Sequence, residues 1–299
     1  MADALRAGGI EVAVTATRAA GSAGEQAREA IANGYDAVFA CGGDGTVNEV
    51  LQGVAGSKAA LAVIPLGTAN SLAADLGVPR DPVAAAQAAL RAETMRVAVG
   101  QISSTGQNGS ISSRFFIVAA GIGADAHLVY TMTAGFKQRY GYAGYFAYAW
   151  RTWAMHSFPP FEIEFTQADG AKRHEIISQL LASRIADFGG LLRRLVAGAA
   201  LQRDVLRLAL FKTPDRLRYL QYMTNVLLGR SEAAVRDVEL VDAVSIECRP
   251  LREPCQDARW RGRDFSRRIY AEADGELLGT LPATVTIVPD AVTLLAPRK

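Results

Sequence analysis

The residues best suited to chemistry are Asp44, set in the string Gly42-Gly43-Asp44-Gly45-Thr46-Val47-Asn48-Glu49, and the downstream triplet Asp274-Gly275-Glu276. In the first string, glycine permits positive φ and lets backbone N–H groups approach an anion closely. A helix starting there adds its dipole, worth about 0.3–1 kcal/mol per charge, so the string suits a phosphate. Asp44 sits at the mouth of that cradle, where a carboxylate alone would repel phosphate. Its presence calls for a Mg²⁺ between them, or for a hydroxyl whose proton it takes. The simpler alternative is a tight turn in which Asp44 or Thr46 caps the helix. Asp274 and Glu276, two carboxylates on a glycine-containing turn, can converge on one hydroxyl, although a plain Asp-Gly hairpin turn explains the same residues.

Two strand–loop–helix units must hold the first of these groups. Ala37-Val38-Phe39-Ala40-Cys41 reads as a buried strand leading into the glycine string. Leu61-Ala62-Val63-Ile64 repeats the pattern, with Pro65-Leu66-Gly67-Thr68-Ala69-Asn70-Ser71 leading into Leu72–Leu76. Successive units of this kind imply parallel strands whose C-terminal ends share one edge, so both loops should line one crevice. Around them, 3–8 reads as a helix, 10–15 as a strand, Ser22–Asn33 as a helix with a Ser22/Glu25 capping box, and Val83–Arg91 as another helix.

From Thr94 the texture changes. Residues 94–102, 114–120, 161–166, 174–184, 203–211, 235–248, 267–273 and 284–288 are strand-like, with turn signals between several of them. We therefore expect an α/β N-terminal domain over residues 1–95 and an antiparallel β-sandwich over 96–299. Two segments interrupt the strands. Gly141–Met155 is rich in Tyr and Trp and reads as core or as a lipid-facing surface, and Pro214–Leu228 reads as a cover packed on the sandwich.

Composition excludes several classes. Half of the 299 residues are apolar, as in a globular protein, and 32 basic against 30 acidic groups leave a net charge of +2, which argues against a general nucleic-acid binder. The three cysteines are too few and too scattered for a disulfide framework or zinc site, so a reducing cytoplasm is the natural reading. Met1–Arg6 lacks a basic segment followed by an apolar run, and Tyr142–Met155 is too short to span a bilayer, so neither a secretory signal nor a membrane span is expected. The local charge anomaly is Arg249–Arg268, with seven arginines against Glu253, Asp257 and Asp264. It suits either an anionic headgroup surface or a solvated loop.

Gly42–Glu49, then Pro65-Leu66-Gly67-Thr68-Ala69-Asn70, then Gly121-Ile122-Gly123-Ala124-Asp125-Ala126, then Asp274-Gly275-Glu276, taken in order, resemble the signatures of the diacylglycerol kinase and sphingosine kinase superfamily, above all its soluble bacterial lipid kinases. The first string alone would also fit NAD kinases and phosphofructokinases. The resemblance implies an NAD-kinase/phosphofructokinase-like parallel sheet in the N-terminal domain and an ATP- and Mg²⁺-dependent kinase acting on a lipid hydroxyl, such as that of diacylglycerol, in phospholipid metabolism. NAD kinase, or a lipid-binding regulatory protein with impaired catalysis, are the rival readings. The implied partners are a lipid substrate and a transient membrane surface, with a homodimer allowed, and the implied location is cytoplasmic, peripheral at the inner membrane face.

Residue by residue, the resemblance assigns nucleotide and phosphate binding to Thr17, Gly42, Gly43, Asp44, Gly45, Thr46, Val47, Asn48, Thr68 and Asn70, with Asp44 on Mg²⁺ directly or through water. Asp125 is a third acidic candidate, linked to Mg²⁺ through Asp44. The general base is implied to lie at Asp274 or Glu276, and the residues do not choose between them. A second, structural Mg²⁺ of the bacterial relatives would here involve Leu201, Asp204 and Leu206, although valine replaces the usual glycine after Asp204. The relatives also begin with a further strand and an Asn-Pro-x-Ser-Gly phosphate loop. No counterpart precedes Ala2, so weakened ATP affinity and an exposed sheet edge are expected.

Overall fold

The computed structural model describes residues 1–106, 109–131, 150–151, 153–193, 195–230, 234–251, 257–260 and 268–298. Its N-terminal part contains α1 (Ala2–Ala7), α2 (Ala23–Ala32), β1 (Ala37–Gly42), α3 (Asp44–Val54), β2 (Ala60–Pro65), α4 (Ser71–Leu76) and α5 (Pro82–Ala89). Then come β3 (Glu93–Thr105), β4 (Ile111–Phe116), β5 (Ala119–Gly123), α6 (Ala124–Thr131), β6 (Phe161–Thr166), β7 (Lys172–Ile177), β8 (Gln179–Ser183) and β9 (Leu206–Phe211). The chain finishes with α7 (Arg216–Leu227), β10 (Val238–Ala243), β11 (Ser245–Pro250), β12 (Tyr270–Ala273) and β13 (Glu276–Ala296).

The two strand–loop–helix units produce β1 and β2, paired parallel from Ala37↔Ala60 to Gly42↔Pro65. A free-standing parallel sheet does not form. Among the described residues, the next parallel neighbour of β2 is the end of β13, at Thr293 and Leu294, because two units supply only two strands and the returning chain takes the open edge. The remaining strands are antiparallel, in the order β10-β9-β8-β5-β12-β13-β11-β6-β7, with β3 and β4 alongside β13. Inward residues of strands far apart in that order, such as Leu208 on β9 and Ile163 on β6, share one core with Ile102, Phe116 and Val285. The sheet therefore folds over on itself, as a sandwich requires.

Strand β13 organises the whole. Along one edge it pairs with β12, then β11, then β2, and along the other with β3. Its register against β3 breaks twice, between Thr280 and Ala283 and between Val288 and Val292. Hydrogen bonding thus continues across residue 95, and the core around α3, β1 and β2 also takes in Val97, Val99, Ile117, Ile185, Leu201 and Val292.

Residues 10–15 are not a strand. They run irregular and mostly exposed, because alternation becomes a strand only where a neighbour offers a ladder. The Ser22/Glu25 box is also replaced. Ser22 Oγ bonds Ala19 O and Gln26 Oε1 instead, while Glu49 of α3 accepts from the N–H groups of Gly21 and Ala23 at 2.8 and 3.1 Å. Helix α7 does pack as a cover, through Tyr219, Tyr222 and Val226. Most of Gly141–Met155 and of Arg249–Arg268 lies outside the described residues.

Candidate active site

Gly43 is the extended N-cap of α3, so the helix opens on Asp44, Gly45 and Thr46, whose N–H groups lack partners within the helix. The second loop packs against it backbone to backbone. A Cβ on Gly67 would stand 2.5 Å from Gly43 Cα, and Leu66 N–H donates to Gly42 O at 2.9 Å. Asn70, at φ 55°, shapes this loop by accepting from Gly67 N–H and donating to Gly67 O. Asp44 ties the two loops together: its carboxylate accepts from Asn70 N–H at 2.9 Å and Ser71 N–H at 2.7 Å.

The acidic triplet arrives from the other side. Asp274 (φ 48°) and Gly275 (φ 80°) form the two-residue turn between β12 and β13, the positive-φ geometry that Asp-Gly favours. The Asp274 carboxylate is fully engaged. Oδ2 accepts from Asn48 Nδ2 at 2.8 Å and Ile117 N–H at 3.0 Å, and Oδ1 accepts from Val118 and Ala119 N–H, both at 3.0 Å. Burial raises its pKa, and these four donors pull against that shift. Glu276 instead is exposed, and its Oε1 lies 3.9 Å from the Cβ position of Gly45 in the first turn of α3. The glycine loop and the hairpin therefore lie side by side.

Residues 1–102 match the diacylglycerol kinase catalytic domain family. The diacylglycerol kinase of Bacillus subtilis (strain 168) is 30% identical over 223 residues, covering 74% of this chain and 70% of that one. The chain belongs to the diacylglycerol kinase family. A YegS-like lipid kinase of Chromohalobacter salexigens is 28% identical over 269 residues, covering 86% of this chain and 82% of that one. A crystal structure of a diacylglycerol kinase from Bacillus anthracis str. Sterne shares the fold, with a TM-score of 0.71 at 22% identity over 98% of this chain and 88% of that one.

Against that family background, several residues of the glycine string carry structure rather than present free groups. Val47 N–H already donates to Gly43 O, and the Val47 side chain is core. The Asn48 side chain is 1% exposed and fully used: it donates to Asp274 and to Phe115 O and accepts from Arg114 Nε at 2.6 Å. These two are corrected from phosphate ligands to scaffold, because the Val47 N–H and the Asn48 side chain are already engaged within the protein. Thr17 sits exposed in the irregular segment before α2. Arg114 carries no motif, and only the fold brings its charge here.

Asp125, expected near Mg²⁺, has another partner. Gly121, without a side chain, leaves room where Asp125 of α6 meets Glu272 of β12: a Cβ there would stand 2.3 Å from Asp125 Oδ2 and 2.7 Å from Glu272 Oε1. Glu272 also accepts from Gly275 N–H at 2.8 Å, bracing the hairpin turn. Burial pushes the Glu272 carboxyl well above the ordinary glutamate value, the negative charge of Asp125 adds to the shift, and burial likewise raises Asp125. Two carboxyls in hydrogen-bond contact share one proton. Glu272 lies on β12, two residues before Asp274, and no motif marks it in the sequence.

A proton held more tightly by the folded than by the unfolded chain stabilises below the unfolded pKa, and that stability is lost as pH rises through the folded one. Glu272 should therefore make the protein less stable as pH climbs above about 4.5, its ordinary value. Glu272→Gln keeps both contacts without the shared proton, so its thermal midpoint should fall less steeply than wild type from pH 5 to 8. Parallel profiles would exclude the shared proton.

The second, structural metal site does not fit this chain. The carbonyl of Leu201, expected to face a cation, accepts from Arg184 Nη2 at 2.8 Å. Asp204 is exposed, and Leu206 opens strand β9.

Proposed function

We propose that this family member is an ATP- and Mg²⁺-dependent lipid kinase that transfers the γ-phosphoryl group to a lipid hydroxyl such as that of diacylglycerol. The observation that carries the reading is the exposed Glu276 carboxylate standing against the first turn of α3, with Asn48–Asp274 fixing the hairpin to the same helix.

Within this reading, residues 1–95 handle the nucleotide and 96–299 the lipid. The N–H groups of Asp44, Gly45 and Thr46, with the exposed Thr68, hold phosphate oxygens. Asp44 retains a lone pair on each oxygen beyond its bonds to Asn70 and Ser71. Among the described residues no cluster of three metal-ligating side chains exists, and Asp44 would hold a Mg²⁺ together with the nucleotide's own phosphates and water. When bound, Mg²⁺ neutralises charge that develops on the transferring group. Glu276 takes the proton of the acceptor hydroxyl, and Asp274, with every lone-pair direction engaged, positions the turn. The lipid is met in a transient visit to a membrane surface; no helix among the described residues is long and apolar enough to cross a membrane.

The test is transfer of labelled phosphate from ATP to a total bacterial lipid extract, with NAD as a parallel acceptor. Label in a lipid supports the reading, label in NAD supports the rival kinase, and no label with no ATP-induced thermal shift supports a regulatory protein. Gly67→Ala gives a second check. Its methyl must displace Gly43 Cα and Asn70 Oδ1, at 2.5 and 3.0 Å, which costs about 1–3 kcal/mol and should weaken ATP binding about tenfold or more by calorimetry. Unchanged affinity would remove the nucleotide from this pair of loops.

A further inference from the structure

Arg184, just after β8, is fully buried, and its guanidinium reaches two other segments of the chain. Nη1 donates to the carbonyls of Arg203 and Val205, and Nη2 to those of Leu201 and Ala98, all at 2.5–3.1 Å. Leu201, Arg203 and Val205 lie in the turn before β9, and Ala98 lies on β3. Its Nε has no partner among the described residues. Burial brings the guanidinium down to about 10, opposed by the charge of Asp204 and assisted by that of Arg203, so it stays a cation at neutral pH.

Three carbonyls of the turn before β9 and the Ala98 carbonyl of β3 gather around one guanidinium; such a cluster of oxygens also suits a hard cation, but here the charge among them is a side chain of the protein itself. We propose that Arg184 is the resident cation of this turn, replacing a structural divalent metal and making the turn independent of one. The guanidinium spends its donors on carbonyls that include the one expected of Leu201 at a metal, and its planar fork ties β3, the end of β8 and the turn before β9 into one unit. The segment it anchors continues to Ala186 and Asp187, whose N–H groups both donate to Asp75 Oδ1 on α4, at 2.9 Å. Arg184 is thus a positioning residue for the face of α4 behind the second glycine loop.

The test uses the full chain without nucleotide. Metal-depleted wild type should show the same thermal midpoint with EDTA as with millimolar Mg²⁺ or Ca²⁺, and the purified protein should hold no stoichiometric divalent metal. Arg184→Ala leaves the carbonyls around an empty centre. Its midpoint should fall on the order of 10 °C, and Ca²⁺ or Mg²⁺ should recover part of the loss. Arg184→Lys keeps a cation in place and should sit between the two without a metal response, which keeps the question decidable if the alanine variant does not fold. Two results would overturn the proposal: wild type stabilised by metal in a manner that Asp204→Asn abolishes, or Arg184→Ala as stable as wild type.

Discussion

Glu276→Gln is expected to lower phosphoryl transfer to lipid about 10²–10⁴-fold, the usual range for removing a general base, while ATP still stabilises the protein. The glutamine occupies the same volume at an exposed position, so the melting temperature should not move. It cannot accept the hydroxyl proton. ATP at about 100 times its dissociation constant should still add roughly 2.7 kcal/mol of stability, because the loop N–H groups are untouched. Single-turnover rates together with a thermal-shift titration make the measurement. Full turnover would displace Glu276 from its role, and a simultaneous loss of ATP stabilisation would mean that the carboxylate acts on the nucleotide side instead.

Asp274→Asn should behave in the opposite manner, as a stability variant first. An amide turns its NH₂ toward N–H donors that now find a carboxylate, either Val118 and Ala119 or Ile117 and Asn48. Losing charge-assisted bonds and facing donors with a donor costs about 3 kcal/mol. The chemical-denaturation midpoint should drop accordingly, and turnover should fall with it because Glu276 loses its support. If the variant unfolds like wild type, the Asp274 carboxylate does not hold the 117–119 turn, and the division of labour between the two acids fails.

The parts of this arrangement that were legible in the chain are those fixed by local backbone chemistry. Glycine strings after apolar runs marked β1–α3 and β2–α4, and Asp274-Gly275 marked a hairpin turn, since positive φ is a property of the residue itself. The first string was less legible in its detail. Val47 and Asn48 belong to the same motif as Gly45 and Thr46, but helical phase turns them inward, and only the packing of α3 against β4 shows where they point. Residues 10–15 misled because alternation reports amphipathicity, not the presence of a neighbour. Arg184 was invisible for the converse reason. Nothing near it in the sequence announces that carbonyls at 98, 201, 203 and 205 will meet around it, since those contacts span up to 86 positions.

Strand β13 begins with the proposed base and ends hydrogen-bonded to β2, whose C-terminal end leads into the second glycine loop. Donor and acceptor machinery are therefore strung on a single girder, and neither can slide past the other without breaking a ladder. Any widening between the two to admit a substrate must flex that girder, and the irregular register at Thr280/Ala283 and at Val288/Val292 marks its weak joints. Separate expression of the two halves would leave β2 without its outer neighbour, so they should not recombine into an enzyme as two independently folded pieces.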